Sequence, residues 1–238
     1  MSEVADNLAA VEERIAKATE RSGRSREDVT LVPISKGQPI ERIREGLRAG
    51  ISLLGENRVQ EARAKYEVIG EEVKWHLVGH LQRNKAKFAV RMFDLIHSLD
   101  STRLADAINK QAKLVDRIQP VLLEVNLSGE LSKFGTTREE VFELVEYAGG
   151  LSNVHVQGLM TIAPFVPEPD IWRQCFRSLR ELAEEITKRG CDNVEMRHLS
   201  MGMSADYEVA IEEGATMVRI GSSIFGPRQC TIRKGEKP

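Results

Sequence analysis

Residues 194–226 read Val194-Glu-Met-Arg-His-Leu-Ser200-Met-Gly-Met-Ser204-Ala-Asp206-Tyr-Glu-Val-Ala-Ile-Glu-Glu-Gly-Ala-Thr216-Met-Val-Arg219-Ile-Gly221-Ser-Ser-Ile-Phe-Gly226. The run Val194–Leu199 predicts a strand, and Ser204 with Asp206 marks a helix start as an N-cap followed by an acidic first turn. Met217–Ile220 is a second short apolar strand, closed by a Gly-Ser-Ser turn. A strand, a helix and a second strand form the unit that joins parallel neighbours, because parallel pairing requires a crossover.

The same unit recurs upstream. Thr30–Ser35, Ile51–Leu54, Lys74–Val78, Leu95–Ser98, Val121–Asn126 and His155–Leu159 are further predicted strands. Between them apolar residues fall at three- and four-residue spacing, as in Leu104, Ile108, Ala112, Val115 and in Phe176, Leu179, Leu182, Ala183, Ile186. An additional helix over about residues 4–21 precedes the first strand. Eight strands in 238 residues, with no composition break or linker, predict an α/β fold in one domain spanning residues 1–238, a (β/α)8 TIM barrel with an additional N-terminal helix. A doubly wound open sheet is the alternative.

A chain with 41% hydrophobic and 29% charged residues can bury a large core beneath an ordinary soluble surface. The net charge is −2 with both signs interspersed, so no basic footprint for nucleic acid is present. The short basic tail, Arg233-Lys-Gly-Glu-Lys237, reads as a frayed end. No apolar run reaches the roughly 20 residues needed to span a bilayer, and the polar N-terminus is unlike a signal peptide. Cys175, Cys191 and Cys230 are odd in number and lack close spacing, which predicts free thiols and a cytoplasmic protein.

The unusual residues fall after the strands. Lys36 follows the first, Gly55-Glu-Asn57 the second, Gly79-His-Leu-Gln82 the third, Asn126, Ser128 and Lys133 the fifth, Ser200–Ser204 the seventh and Gly221-Ser-Ser223 the eighth. In a barrel these positions converge on the C-terminal rim, where such folds build their sites. Turn propensity alone accounts for the Gly, Asn and Ser, but not for the lysine and arginine.

Lys36 continues the alternation Val32, Ile34, Lys36 and so shares a face with two apolar side chains. At the mouth of an apolar well, desolvation favours the neutral amine, the form that attacks an aldehyde to make a Schiff base. The bland alternative is a solvated loop lysine. Arg219 lies inside an apolar strand and needs a partner. That partner is either a carboxylate, Glu195 or Glu124, in a structural salt bridge, or a ligand's ring nitrogen or anionic group. Gly221-Ser-Ser-Ile-Phe-Gly226 stands where barrel enzymes often bind phosphate, with Gly221 permitting close approach and Ser222 and Ser200 offering hydroxyls. His76 and His80 are four apart but lack the Glu of a zinc-binding helix, so no metal site is expected. Thr137 with Glu140 reads as a capping box.

Several segments carry a resemblance as a set: Ile34-Ser-Lys36-Gly, Gly55-Glu-Asn57-x-Val-Gln-Glu61, Trp75-His-Leu-Val-Gly79-His-Leu-Gln82-x-Asn84-Lys85, Gly158-Leu-Met160, His198-Leu-Ser200-Met-Gly-Met-Ser204-x-Asp206 and Thr216-Met-Val-Arg219-Ile-Gly221-x-x-Ile-Phe-Gly226. In this order and spacing, from about residue 5 to 228, the chain resembles the pyridoxal phosphate homeostasis proteins, a family similar to the N-terminal barrel of alanine racemase (fold type III). The resemblance implies pyridoxal 5′-phosphate (PLP) as cofactor, carried on Lys36 as a Schiff base. It places Ser200, Gly221 and Ser222 at the phosphate, Arg219 at the pyridine nitrogen, and Asn57 and Met160 along the ring. Gln38 stands where many relatives carry a second lysine, and His80 where many carry proline. Lys133 fits a lysine position in the loop after the fifth strand.

The resemblance implies a non-catalytic protein, monomer or weak dimer, that buffers PLP and releases it to apo PLP-dependent enzymes. The alternative is an amino-acid racemase or decarboxylase. Such enzymes add a C-terminal β-domain with an acid/base residue, which the sequence is expected to lack. An aldolase-type barrel would share the lysine and phosphate site but not the full motif set.

Overall fold

The computed structural model describes residues 2–130 and 133–227. Cys230 and the basic tail, noted in the sequence, lie outside the described residues. The chain begins with α1 (Glu3–Arg21), whose first turn is capped by the Ser2 hydroxyl accepting from the Ala5 amide at 3.3 Å. Its buried stripe is Val4, Leu8, Val11, Ile15 and Ala18, the three- and four-residue spacing that turns one helix face inward.

Eight strands follow, each leading into helix. They are β1 (Thr30–Pro33), β2 (Leu53–Glu56), β3 (Lys74–Leu77), β4 (Leu95–Leu99), β5 (Gln119–Glu124), β6 (Val154–Met160), β7 (Val194–Ser200) and β8 (Met217–Ile220). The helices are α2 (Ile40–Arg48), α3 (Val59–Ile69), α4 (Ala86–Met92), α5 (Thr102–Lys113), α6 (Val141–Gly149), α7 (Pro169–Arg189), α8 (Tyr207–Glu212) and the four-residue α9 (Ser222–Phe225). All strand pairs are parallel, and β1 pairs with β8 at Thr30–Met217 through Pro33–Ile220. The ring closes where Ile34 makes a parallel bridge to Gly55 and the Ser35 amide donates to the Gly55 carbonyl at 3.0 Å. This closure excludes the open doubly wound sheet.

Two apolar layers result. The larger, between strands and helices, includes Trp75, Ile96, Phe176 and Tyr207. The smaller fills the barrel: Val32, Val78, Leu95, Leu122, Met160 and Met217, with Ile34 and Ile162 partly buried against it. Val32 and Ile34 therefore face inward, as their alternation with Lys36 predicts.

Strand bounds differ from the sequence expectation by one or two residues in every strand but β8; β1, for example, ends at Pro33 rather than Ser35, with Ile34 continuing as a single bridge. β2 begins two residues later than expected and takes in Gly55 and Glu56. A Cβ at Gly55 would lie 2.4 Å from Ile34 Cδ1 and 2.9 Å from Val32 Cγ1, so glycine lets β2 approach β1. β5 ends at Glu124 rather than Asn126, with Val125 continuing as a single bridge to Thr136.

No helix among the described residues is long and apolar enough to cross a membrane.

Where β6 meets β7 the register shifts between Val156 and Gly158, and Gly158 takes φ +149°. A Cβ there would sit 1.9 Å from the His198 carbonyl oxygen. Because the obstacle is backbone, Gly158→Ala is expected to cost more than about 3 kcal/mol. Urea denaturation checks this; an unchanged midpoint would refute the close-approach account.

Candidate functional site

Five neighbouring strands, β6-β7-β8-β1-β2, carry all seven residues singled out in the sequence. Lys36 is half-buried in a turn after β1, in which the Gln38 amide donates to the Ser35 carbonyl at 3.0 Å and Gly37 takes φ +70°. A positive φ at the third position is what a type II turn requires, and glycine supplies it without strain. Gly221 packs against the same strand end: its missing Cβ would lie 3.1 Å from the Ile34 carbonyl oxygen. The turns bearing Lys36 and Gly221 are thus direct neighbours. Ser222 is exposed in the first turn of α9, its hydroxyl 3.4 Å from that of Ser204. Amides of a first helical turn have no carbonyl to bond within their own helix.

Asn57 follows β2 and is half-buried, and the Gly79 turn rests on its backbone. Met160 is fully buried at the end of β6, level with Ser200 on β7. Ser200 is fully buried too, and its hydroxyl accepts from Arg219 Nη1 at 2.7 Å. Arg219 also donates from Nη2 to the Thr161 carbonyl at 2.9 Å. Neither carboxylate offered from the sequence reaches it. Glu195 pairs with Arg197 on the surface, and Glu124 lies beyond ion-pair distance. Burial lowers the Arg219 pKa to about 10, against the pull of Asp206 and Glu124, which leaves it cationic at neutral pH.

The network continues across the barrel. His97 Nδ1 lies 2.9 Å from Ser200 Oγ, and His97 Nε2 lies 3.0 Å from His76 Nδ1. Arginine only donates, so Ser200 accepts from it and its own hydrogen is available to His97 Nδ1. His97 then carries its proton on Nε2 and donates to His76. Burial drives His76 down to about 3 and His97 well below its ordinary value, so both rings are neutral. His76 therefore serves inside the barrel, whereas His80 sits on the rim, 3.2 Å from Asp100 and stacked on Phe134.

Residues without an assigned role in the sequence complete the site. The buried Gln38 side chain donates to the Gly226 carbonyl at 3.3 Å, tying the Lys36 turn to the chain after β8. Lys133 donates to the Ala163 carbonyl at 3.1 Å and pairs with Glu130. A small cavity of about 160 Å³ lies beside it, lined by Glu124, Asn126 and Ile162. A wider one of about 590 Å³ lies over β3 and β4, lined by His80, Gln82, Asn84, Asp100 and Arg103. Neither is lined by Lys36 or Gly221. The Thr137–Glu140 box forms, with the Glu140 amide 3.2 Å from the Thr137 hydroxyl.

Sequence reasoning missed Lys65. It is buried, with its ammonium donating to Glu56 Oε1 at 2.5 Å, to the Ser35 carbonyl at 2.6 Å and to Glu61 Oε1 at 2.8 Å. The signal was its place on the apolar stripe of α3, with Val59, Ala62 and Ile69.

Residues 7–229 match the family model described as alanine racemase, N-terminal domain. A pyridoxal phosphate homeostasis protein of Aquifex aeolicus is 49% identical over 225 residues, covering 94% of this chain and 98% of that one. Its counterpart of the same name in Escherichia coli is 38% identical, covering 96% and 98%. The structure of PipY from Synechococcus elongatus with PLP bound is 35% identical with a TM-score of 0.83, covering 94% of this chain and all of that one.

Glu124 is buried, its Oε2 has no hydrogen-bond partner among the described residues, and burial with the charge of Asp100 raises its pKa from 4.5 to about 7 despite Arg219. Between those values the folded state binds more protons than the unfolded one, so this group's contribution to stability is lost as pH rises toward and through 7. The full difference is on the order of 3 kcal/mol. Glu124→Gln should therefore gain stability relative to the parent as pH rises from 5 to 8, as read by denaturation at each pH. A constant gap between the two would show that Glu124 does not titrate there.

Proposed function

This chain belongs to the pyridoxal phosphate homeostasis protein family, and from that premise we propose that it binds PLP on Lys36 as a Schiff base and hands it on to apo PLP-dependent enzymes in the cytoplasm. The observation that carries this reading is the meeting of the Lys36 turn with the Gly221 turn, beside a buried cationic Arg219. The residues fit the group. An amine, a glycine cradle with first-turn amides and hydroxyls, and a guanidinium answer an aldehyde, a phosphate and a pyridine nitrogen respectively.

When bound, PLP supplies an aldehyde carbon that accepts an amine. Lys36 provides that amine from a turn held in one conformation. Gly221, Ser222 and the Ser200 segment orient the phosphate. The Ser200 hydroxyl acts indirectly in this reading, because it is already engaged by Arg219 and His97. Arg219 remains a donor and would disfavour protonation of the ring nitrogen, which would weaken the ring as an electron sink. Asn57 and Met160 bound the ring. That electronic arrangement, together with relatives named for homeostasis, supports a carrier over a racemase or decarboxylase.

Lys36→Ala is expected to abolish the visible absorbance of the PLP-loaded protein, along with the borohydride-reducible adduct found by mass spectrometry. An adduct that persists on another lysine would remove Lys36 from its role. Arg219→Gln should weaken PLP retention about ten- to a hundredfold, since a hydrogen bond to a charged group is worth roughly 1.5–3 kcal/mol. Equilibrium dialysis gives the ratio, and unchanged retention would leave Arg219 a purely structural residue. The loaded protein should also exchange the α-proton of L-alanine in deuterated water far below about 1 per second. Washout at that rate would establish an enzyme instead.

A further inference from the structure

Lys65 spends all three ammonium hydrogens on groups next to Lys36. One goes to the Ser35 carbonyl, the residue before it, at 2.6 Å. The second goes to Glu56 Oε1 at 2.5 Å, and that same oxygen accepts the Ser35 hydroxyl at 2.5 Å. The third goes to Glu61 Oε1 at 2.8 Å, which also accepts the amide of Gly37, the residue after Lys36, at 2.6 Å. Ser35 and Glu56 are fully buried, and the Lys65 side chain is 7% exposed.

An ion pair so placed is weak evidence for stability, because desolvation offsets most of the attraction. Its geometry is informative instead. Through Lys65 and Glu61, α3 grips the Lys36 turn at the Ser35 carbonyl and at the Gly37 amide, the groups on either side of Lys36. The Gly37 conformation is one that solvent alone would not select uniquely. Burial alone would raise the Glu61 pKa, but the hydrogen bonds from Lys65 and Gly37 and the charges of Lys65 and Lys36 bring it below its ordinary value, so Glu61 is the charged acceptor this grip needs.

We propose that Lys65, acting with Glu56 and Glu61, is a positioning residue for Lys36: it locks the turn so that the Lys36 amine is presented in one place for capture of an aldehyde. This inference rests on the assignment of PLP to Lys36. None of Lys65, Glu56 and Glu61 is among the phosphate and ring residues named above, although Glu56 directly precedes Asn57.

The test uses the full-length protein freed of PLP, with PLP itself as the probe. Lys65→Met and Glu61→Ala are compared with the parent by amide hydrogen exchange at Gly37 and by the rate at which added PLP becomes a borohydride-trapped adduct on Lys36. The expected result is loss of Gly37 protection in both variants, with capture slowed at least about tenfold, since small misplacements of a reacting group carry costs of that order. Exchange at Gly37 unchanged, or protection lost with capture at the parental rate, overturns the proposal. A parent protein that captures no PLP on Lys36 overturns the proposed function itself, a distinct outcome. Should Lys65→Met not fold, Glu61→Ala keeps the Lys65–Glu56 pair and carries the same two readouts.

Discussion

The barrel is held shut at the seam where β1 meets β2 through the Ile34–Gly55 bridge and the Ser35 amide on the Gly55 carbonyl. Everything on the rim depends on that seam. It fixes the direction in which the chain leaves β1, hence the Lys36 turn, and it brings Glu56 beneath Ser35. The seam needs glycine at position 55 because two side chains of β1 occupy the space a Cβ would take. A single backbone requirement thus connects barrel closure with the placement of the one lysine that matters most.

Inside the barrel a different constraint operates. The interior combines an apolar set, Val32, Leu95, Leu122 and Met217, with a polar one, Arg219, Ser200, His97 and His76, and the register pairs Val32 with Arg219, Leu95 with His76 and Met217 with Ser200. Burying a guanidinium is costly unless its donors are met. Here the Ser200 hydroxyl and the Thr161 carbonyl accept from it, and Ser200 leads on to the neutral rings of His97 and His76 in a chain with one direction of donation. Among the described residues no carboxylate lies within ion-pair distance of Arg219. Its positive charge is therefore available toward the rim, which a direct salt bridge to Glu124 would have quenched.

Much of this was legible in the residues. Eight short strands separated by helical spacing predict the parallel barrel, and the strand-end positions of Lys36, Asn57, Ser200, Arg219 and Gly221 follow from the same alternation. The two-residue displacement of β2 was not legible, because the apolar run at Ile51–Leu54 marks hydrophobicity and not where the partner strand allows close approach. Nor was the partner of Arg219. A sequence offers carboxylates as the obvious answer, while the barrel brought a serine hydroxyl and a backbone carbonyl instead.

By itself, then, the sequence determined the periodicities: period two in the strands, three to four in the helices, and the chemical types that stand at strand ends. Those properties are local and survive in any reading of the chain. Tertiary structure alone decided which groups share a hydrogen bond across long separations, 21 residues for Ser35 and Glu56 and 103 for His97 and Ser200. The physical reason is that burial converts a weak polar preference into a strict demand for a partner. Only the closed barrel specifies which partner lies within 3 Å.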